Sequence, residues 1–206
     1  MCGGQGTRLE SPHEKPLHPV DGTAMIDHVR RALESSRVES IYAAVSPNAT
    51  ETAAHLEAVG GIETIETAGD GYVPDLMTAL EYSELTPPVL TVAADLPALE
   101  EPVVDRLLVR HGDDTDSRTI CVPAALKRRL GIRIDSRLED APHLVPTGVN
   151  VVGTTSQDMT DVSYDPRLAI NVNRLEETRV ASEIRSDRAG ERIRSDWVGK
   201  RGDPCE

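Results

Sequence analysis

Val89-Leu90-Thr91-Val92-Ala93-Ala94, preceded by Pro88 and closed by Asp95-Leu96-Pro97, is a continuous apolar run of strand length. A run without polar alternation reads as a strand buried on both faces, the situation of an inner strand in a helix-covered sheet. Outward from it, helical and strand-like segments alternate. Met25, Ile26, Val29, Ala32 and Leu33 recur at helical spacing and predict a helix over 22–35. Val38 to Val45 (VESIYAAV) reads as a strand closed by Ser46-Pro47-Asn48, residues 50–59 return to helix, and Ile62 and Ile65 mark a short strand ending at Ala68-Gly69. Leu76, Met77 and Leu80 belong to a further helix; Val103, Val104, Leu107 and Leu108 form another helical stripe. Thr119–Val122 and Thr147–Val152 are the next strands. Strands alternating with helices imply βαβ units. The expected fold class is therefore α/β, one doubly wound domain over 1–185 with a mostly parallel sheet, then a charged, flexible tail over 186–206.

A chain of 206 residues suits one large domain. With no Phe, one Trp and four Tyr, its core must be aliphatic. No apolar run approaches the roughly 18 residues of a membrane span, and no signal-peptide pattern is present, so a cytoplasmic protein is expected. Acidic residues outnumber basic ones 35 to 22, a net charge of −13, and only three of the basic residues are Lys. At about 1 M salt the Debye length falls to ~3 Å and crowded carboxylates repel little, so this composition points to a halophilic, salt-loaded cytoplasm. The absence of a basic stripe argues against nucleic-acid binding. Cys2, Cys121 and Cys205 have neither disulfide nor metal spacing and are expected as reduced thiols. The six His show no ligand spacing and read as surface or structural.

Four segments carry chemistry. Gly3-Gly4-Gln5-Gly6-Thr7-Arg8 lets backbone N–H groups approach phosphate oxygens and adds a fixed cation, although the same residues also suit a tight turn. No Gly-Lys-Ser/Thr follows, so it is not a P-loop. Such loops usually follow a buried strand; none precedes this one, so a first strand is expected to be missing from the sequence, leaving two ladder edges without a partner. Lys15, stiffened by Pro16, can neutralise a triphosphate or stand as a solvated surface charge. Asp95 leaves the C-terminal mouth of the 89–94 strand, where ligands bind in open α/β sheets. A carboxylate there suits Mg²⁺ or caps the next helix. Asn171 and Asn173 fall on one face of an extended segment; which of them faces the site is open.

Taken together, Gly-Gly-x-Gly-Thr-Arg followed by Lys15-Pro16-Leu17 resembles the signature of nucleotidyltransferases that activate sugars or cofactor precursors. Ser46-Pro47-Asn48, Gly69-Asp70-Gly71-Tyr72-Val73-Pro74-Asp75-Leu76, Ala94-Asp95-Leu96, Leu144-Val145-Pro146-Thr147-Gly148-Val149-Asn150-Val151-Val152 and Ile170-Asn171-Val172-Asn173 extend that likeness. They resemble the archaeal adenosylcobinamide-phosphate guanylyltransferases, the CobY type of the MobA-like superfamily. The resemblance implies a Rossmann-like nucleotidyltransferase domain, with GTP and adenosylcobinamide phosphate as partners and Mg²⁺ as cofactor. The products would be adenosylcobinamide-GDP and pyrophosphate, in cobalamin biosynthesis. By the same resemblance Arg8, Lys15 and Asp95 are catalytic. Gly3, Gly4, Gly6, Thr7, Asn48, Gly69 and Gly71 bind the nucleotide, with Asp75 as helix cap or base acceptor. Thr147, Gly148 and Asn150 line the acceptor side, and Asp95 holds the metal with Asn171 or Asn173.

Two departures stand out: Gln5 where the family often has Lys, and the absent first strand. A molybdenum-cofactor guanylyltransferase and a non-catalytic GTP-binding protein are the alternatives. The acceptor is already an anionic phosphomonoester, so no general base is required. Monomer and homodimer are both open.

Overall fold

The computed structural model of the chain describes residues 1–2, 9 and 11–186. Gly3, Gly4, Gln5, Gly6, Thr7 and Arg8 of the N-terminal loop, and the tail after Ser186, lie outside the described residues.

Lys15–Leu17 forms a short 3-10 turn. A two-strand hairpin follows, β1 (Pro19–Val20) and β2 (Thr23–Ala24), closed by Asp21 and Gly22 at φ of 51° and 74°. That turn takes residues 22–24 out of the expected helix, so α1 spans Met25–Glu34 and buries Met25, Ile26, Val29 and Ala32. Of the predicted 38–45 strand only β3 (Tyr42–Val45) finds a ladder. Its parallel partner β4 (Glu63–Glu66) matches four residues and no more, after α2 (Thr50–Val59). Next come α3 (Tyr72–Leu80), β5 (Val89–Val92) and α4 (Glu101–His111). Then follow β6 (Ser117–Pro123), α5 (Ala124–Arg129), β7 (Leu144–Val152), β8 (Asp158–Val162) and α6 (Leu175–Arg185).

The α/β class holds: β3 and β4 are parallel, and in the four-stranded sheet β5, β6 and β8 share one direction while β7 is reversed against them, which makes that sheet mixed. Its order is β5-β7-β6-β8; β7 runs antiparallel to both β5 and β6, while β6 and β8 are parallel. The cause is the connection. Pro123 pairs with Leu144, so the segment containing α5 joins β6 to β7 as a wide hairpin and no crossover is made. A parallel pair would need the chain to return to the other end of the sheet.

Met1 and Cys2 lie between β3 and β5. Cys2 N donates to Ala44 O (2.9 Å), the Met1 amino group donates to Val92 O (3.0 Å), and Ala94 N donates to Met1 O (3.3 Å). Beyond them the facing edges of the two strands border an apolar groove of about 590 Å³, with Val29, Ala43 and Leu90 among its walls. Val89 and Leu90 are therefore only half-buried, where the apolar run predicts burial on both faces.

The core is aliphatic, as composition requires. Val29 and Ala32 of α1 pack with Val103 and Val104 of α4 and with Val92, Ile120, Val122 and Val149 of the sheet. Each fully buried side chain of this size contributes about 1.5–3 kcal/mol. A second cluster joins α6 to the N-terminal hairpin through Val20, Met25, Ile170, Val172, Ala181 and Ile184. It anchors the chain on either side of Asn171 and sets that segment beside the end of β5, where Val172 N donates to Asp95 O (3.0 Å). No helix among the described residues is long and apolar enough to cross a membrane.

Candidate active site

Asp95 follows the end of β5 and projects into a cluster assembled from three distant parts of the chain. Lys15 Nζ donates to Asp95 Oδ2 (2.5 Å) and to Asn173 Oδ1 (2.7 Å). Asn171 Nδ2 donates to Asp95 Oδ1 (3.0 Å) and to Thr147 O (2.8 Å). Lys127 Nζ, from α5, donates to Asn171 Oδ1 (2.9 Å). The strand mouth supplies the carboxylate, the Lys-Pro turn a cation, and the segment pinned by Val172 the two amides. Alternation does send both asparagine side chains to one place, with Val172 fully buried between them.

Lys15 is itself held. The Glu14 carboxylate accepts from Glu51 N (2.9 Å), Thr52 N (2.8 Å) and the Thr52 hydroxyl (2.7 Å), capping the N-terminus of α2. Burial pushes the Glu14 carboxyl up, but the Thr52 hydroxyl and the two amides outweigh it and leave its pKa below the ordinary glutamate value. Pro16 is buried beside it. The backbone carrying Lys15 is thus fixed from both sides. Glu177, 1% exposed, does the same for Asn173, accepting from Asn173 N (2.8 Å) and Arg174 N (3.1 Å).

Asp95 Oδ2 and Asn173 Oδ1 converge on one cationic centre, the Lys15 ammonium. A carboxylate and a neutral oxygen form a hard donor pair of the kind that holds Mg²⁺ when phosphates and waters complete the shell. The residues present therefore fit that ion. No group of three or more His, Cys, Asp or Glu that could cage a metal exists among the described residues. Asn171 offers no oxygen to this centre: its Oδ1 faces Lys127 and its Nδ2 faces Asp95. Of the two asparagines, it is Asn173 that turns its side-chain oxygen toward this centre.

A pocket of about 450 Å³ opens beside the cluster, lined by Lys15, Asn48, Gly69, Gly71, Tyr72 and Asp95. Gly69, at φ +79°, packs so closely that a Cβ would lie 3.2 Å from Asn48 Nδ2 and from Ser46 Cβ. Asp75 is not the N-cap of α3, although it lines the pocket. It is 3% exposed, its Oδ1 accepts from Gly69 N (2.8 Å), and Gly71 occupies the N-cap of α3. Its carboxylate closes the 69–75 loop, a role that its position four residues into a helix does not advertise.

The three acceptor-side residues divide. Thr147 is fully buried, its hydroxyl donating to Ile120 O (2.8 Å), so it is a sheet residue and no ligand contact. Gly148, at φ +82°, makes room for the protein: a Cβ would lie 2.8 Å from Ala93 Cβ and 3.5 Å from Asn171 Nδ2. Asn150 meets the pocket through a neighbour, its Nδ2 donating to the hydroxyl of the pocket-lining Tyr72 (2.8 Å) and to Thr91 Oγ1 (3.3 Å). The His residues stay out of the cluster, as expected; His18 bonds Ser11 and Thr178, His28 bonds Val20 O, and His55 bonds Asp27.

Lys127 is the residue that sequence reasoning missed. It is 4% exposed, and burial pulls its ammonium below the ordinary lysine value, against the opposing charges of Asp95, Glu177 and Asp135. Next to Arg128 and Arg129 it looks like part of a solvated basic turn. The signal available was scarcity, since the chain has only three Lys.

Comparison with known proteins bears on this geometry. The family model of the MobA-like NTP transferase domain matches residues 1–190. The chain is similar to the adenosylcobinamide-phosphate guanylyltransferase of Methanocaldococcus jannaschii, 28% identical over 192 residues, covering 88% of this chain and 93% of that protein. It is also 28% identical over 129 residues to the bifunctional protein GlmU of Micrococcus luteus, spanning 26% of that longer protein. Among solved structures, HddC from Yersinia pseudotuberculosis complexed with GMP-PN superposes with a TM-score of 0.64 at 15% identity, over 88% of this chain and 96% of that one. A putative glucose-1-phosphate thymidylyltransferase from Bacillus anthracis gives 0.61 at 13% identity, over 90% and 93%.

Proposed function

The chain belongs to the MobA-like NTP transferase family and is a nucleotidyltransferase, and on that premise we propose that it transfers GMP from GTP to adenosylcobinamide phosphate, releasing pyrophosphate. The observation that carries the transfer chemistry is the convergence of Lys15, Asp95 and Asn173 at the mouth of β5, beside a pocket of nucleotide size. The choice of base and acceptor is supported by the similarity to the Methanocaldococcus jannaschii enzyme over 88% of the chain.

In this reaction an oxygen of the acceptor phosphate attacks the α-phosphorus of GTP. The bond to the β-phosphate oxygen breaks in line, and pyrophosphate leaves with its electron pair. No proton need be taken from the nucleophile, which is why the absence of a base beside Asp95 is no obstacle. Catalysis is positioning and charge neutralisation. Asp95 and Asn173 would hold Mg²⁺, which when bound would supply Lewis-acid polarisation of the phosphate oxygens. Lys15, on a backbone fixed by Glu14, turns from Asp95 to the triphosphate and neutralises the charge that develops on the leaving group. The Gly69–Asp75 loop walls the base, and Tyr72, bonded to Asn150, forms the pocket rim that faces the acceptor. Arg8, with Gly3, Gly4, Gly6 and Thr7, is assigned to the triphosphate on the Gly-Gly-x-Gly-Thr-Arg signature.

The test is pyrophosphate release from GTP and Mg²⁺ in high KCl, with and without adenosylcobinamide phosphate. Release that requires this acceptor supports the proposal. Release with another phosphomonoester, or with another nucleoside triphosphate, would retain nucleotidyl transfer and reject the assigned substrates.

A further inference from the structure

Lys127 touches none of the groups assigned to substrate, yet it is one of the most deeply buried charges in the molecule. Burying an ammonium is unfavourable unless something offsets it, so its placement calls for a reason. The hydrogen bonds around Asn171 supply one. The Asn171 side chain has two N–H donors and one carbonyl, and all are engaged: the donors by Asp95 Oδ1 (3.0 Å) and Thr147 O (2.8 Å), the carbonyl by Lys127 Nζ (2.9 Å). Reversing the amide would set its oxygen against two acceptors and its NH₂ against an ammonium that can only donate. Lys127 thereby makes one orientation of Asn171 satisfied and the other repulsive.

From this geometry we infer that Lys127 is a positioning residue of the transferase site, locking the Asn171 amide so that it donates to Asp95 Oδ1. With Oδ1 taken by that amide, the carboxylate presents Oδ2 to the same centre that Asn173 Oδ1 faces. The inference rests on the proposed nucleotidyl transfer at Asp95 but not on which acceptor is used. It adds a residue from α5 to a site otherwise built from the Lys-Pro turn, the mouth of β5 and the 171–173 segment.

The test uses the full chain and four proteins: wild type, Lys127→Met, Asn171→Ala and the double variant. Turnover and the GTP KM are measured together with solvent exchange of the Asn171 side-chain amide by NMR. Lys127→Met is expected to lower kcat about 10- to 100-fold, the scale of losing one oriented contact, with the GTP KM within ~3-fold. In the Asn171→Ala background the same change is expected to have no further effect, because a residue that acts through another is silent without it. The Asn171 amide protons, protected in the wild type, are expected to exchange freely in Lys127→Met. Asn171→Asp is the companion variant, since it leaves Lys127 an oxygen partner but turns acceptors toward Asp95 and Thr147 O. A mere need of Lys127 for a partner predicts an active Asn171→Asp enzyme; positioning predicts loss on the Lys127→Met scale. Two results overturn the inference: additive losses in the double variant, which would place Lys127 on the ligand itself, or an Asn171 amide as protected in Lys127→Met as in the wild type. If the wild type transfers no nucleotide, the proposed function fails, while the amide-exchange measurement still decides the role of Lys127.

Discussion

Replacing Lys15 by Met should move three quantities, and one of them in a direction that simple loss of a binding residue does not predict. The Lys15 ammonium lies 2.5 Å from Asp95 Oδ2 and 2.7 Å from Asn173 Oδ1, with the Lys15 and Asp95 side chains each 16% exposed. Exposed ion pairs contribute about 0–1 kcal/mol, whereas removing one partner of a fully buried pair costs about 3–5 kcal/mol. At this exposure, with Asn171 still donating to Asp95, a loss of about 1–2 kcal/mol is expected. For a domain of this size that is a fall in Tm of roughly 3–6 °C. Turnover should drop at least ~100-fold, the scale of one transition-state charge contact. The third quantity is divalent-ion affinity in the absence of nucleotide. Lys15 occupies the point where the two oxygens converge, so it competes with a metal for them, and its removal should tighten Mn²⁺ binding by ~10-fold, or about 1.4 kcal/mol. Electron paramagnetic resonance of free Mn²⁺ measures this directly. Unchanged or weaker Mn²⁺ binding, together with turnover within ~3-fold of wild type, would refute the reading of Lys15 as the cation that holds this place until a triphosphate draws it away.

Three further outcomes are expected. Gly148→Ala combines a backbone at φ +82° with a Cβ 2.8 Å from Ala93 Cβ. Strain of about 1–2 kcal/mol and overpacking of about 1–3 kcal/mol should lower Tm by several degrees in a melt, and an unshifted Tm would show that β5 and β7 are not packed as described. His18 and His28 are held below the ordinary histidine value by burial, with Arg185 and Arg31 adding to the effect at His28. The unfolded chain therefore binds protons that the folded one refuses; stability is steady above about pH 6.5 and falls as pH drops from there toward the depressed folded values. Melts between pH 5 and 8 check this, and His28→Gln should flatten the slope. A net charge of −13 predicts that Tm rises from low to multimolar KCl as screening removes repulsion; a Tm that does not rise would dissociate the acidic composition from any adaptation to salt.

What the sequence revealed and what it hid differ in kind. Lys15, Asp95 and Asn173 meet in space although Lys15 and Asn173 are 158 positions apart. Each was legible because its backbone is set locally: a Lys-Pro turn, the exit of an apolar strand, an extended Asn-x-Asn with an apolar residue between. Strand direction is not local. The alternation in Leu144–Val152 is the same whichever way the strand runs, and only the pairing of Pro123 with Leu144 makes it antiparallel. The burial of Thr147 follows from that tertiary arrangement, so a residue type suited to ligands proved to be holding the frame. Lys127 was hidden for the same reason, since α5 reaches Asn171 only through the wide hairpin that the periodicity did not disclose.

The geometry of the cluster accounts for its use of lysine. Of the chain's 22 basic residues only three are lysine, yet two of these, Lys15 and Lys127, flank Asp95. An arginine would not serve at either place. The guanidinium is a planar fork suited to bidentate contact with one carboxylate, whereas Lys15 must fit as a point charge between a carboxylate oxygen and an amide oxygen 2.5 and 2.7 Å away. At Lys127, where Asn171 Oδ1 is the acceptor, the guanidinium would bring five N–H donors in place of the ammonium's three into a side chain 4% exposed, so more buried N–H groups would go unsatisfied. Lys127→Arg should therefore impair turnover despite keeping the charge. A Lys127→Arg enzyme with wild-type turnover would show that charge alone, and not the geometry of a compact ammonium, is what the cluster requires.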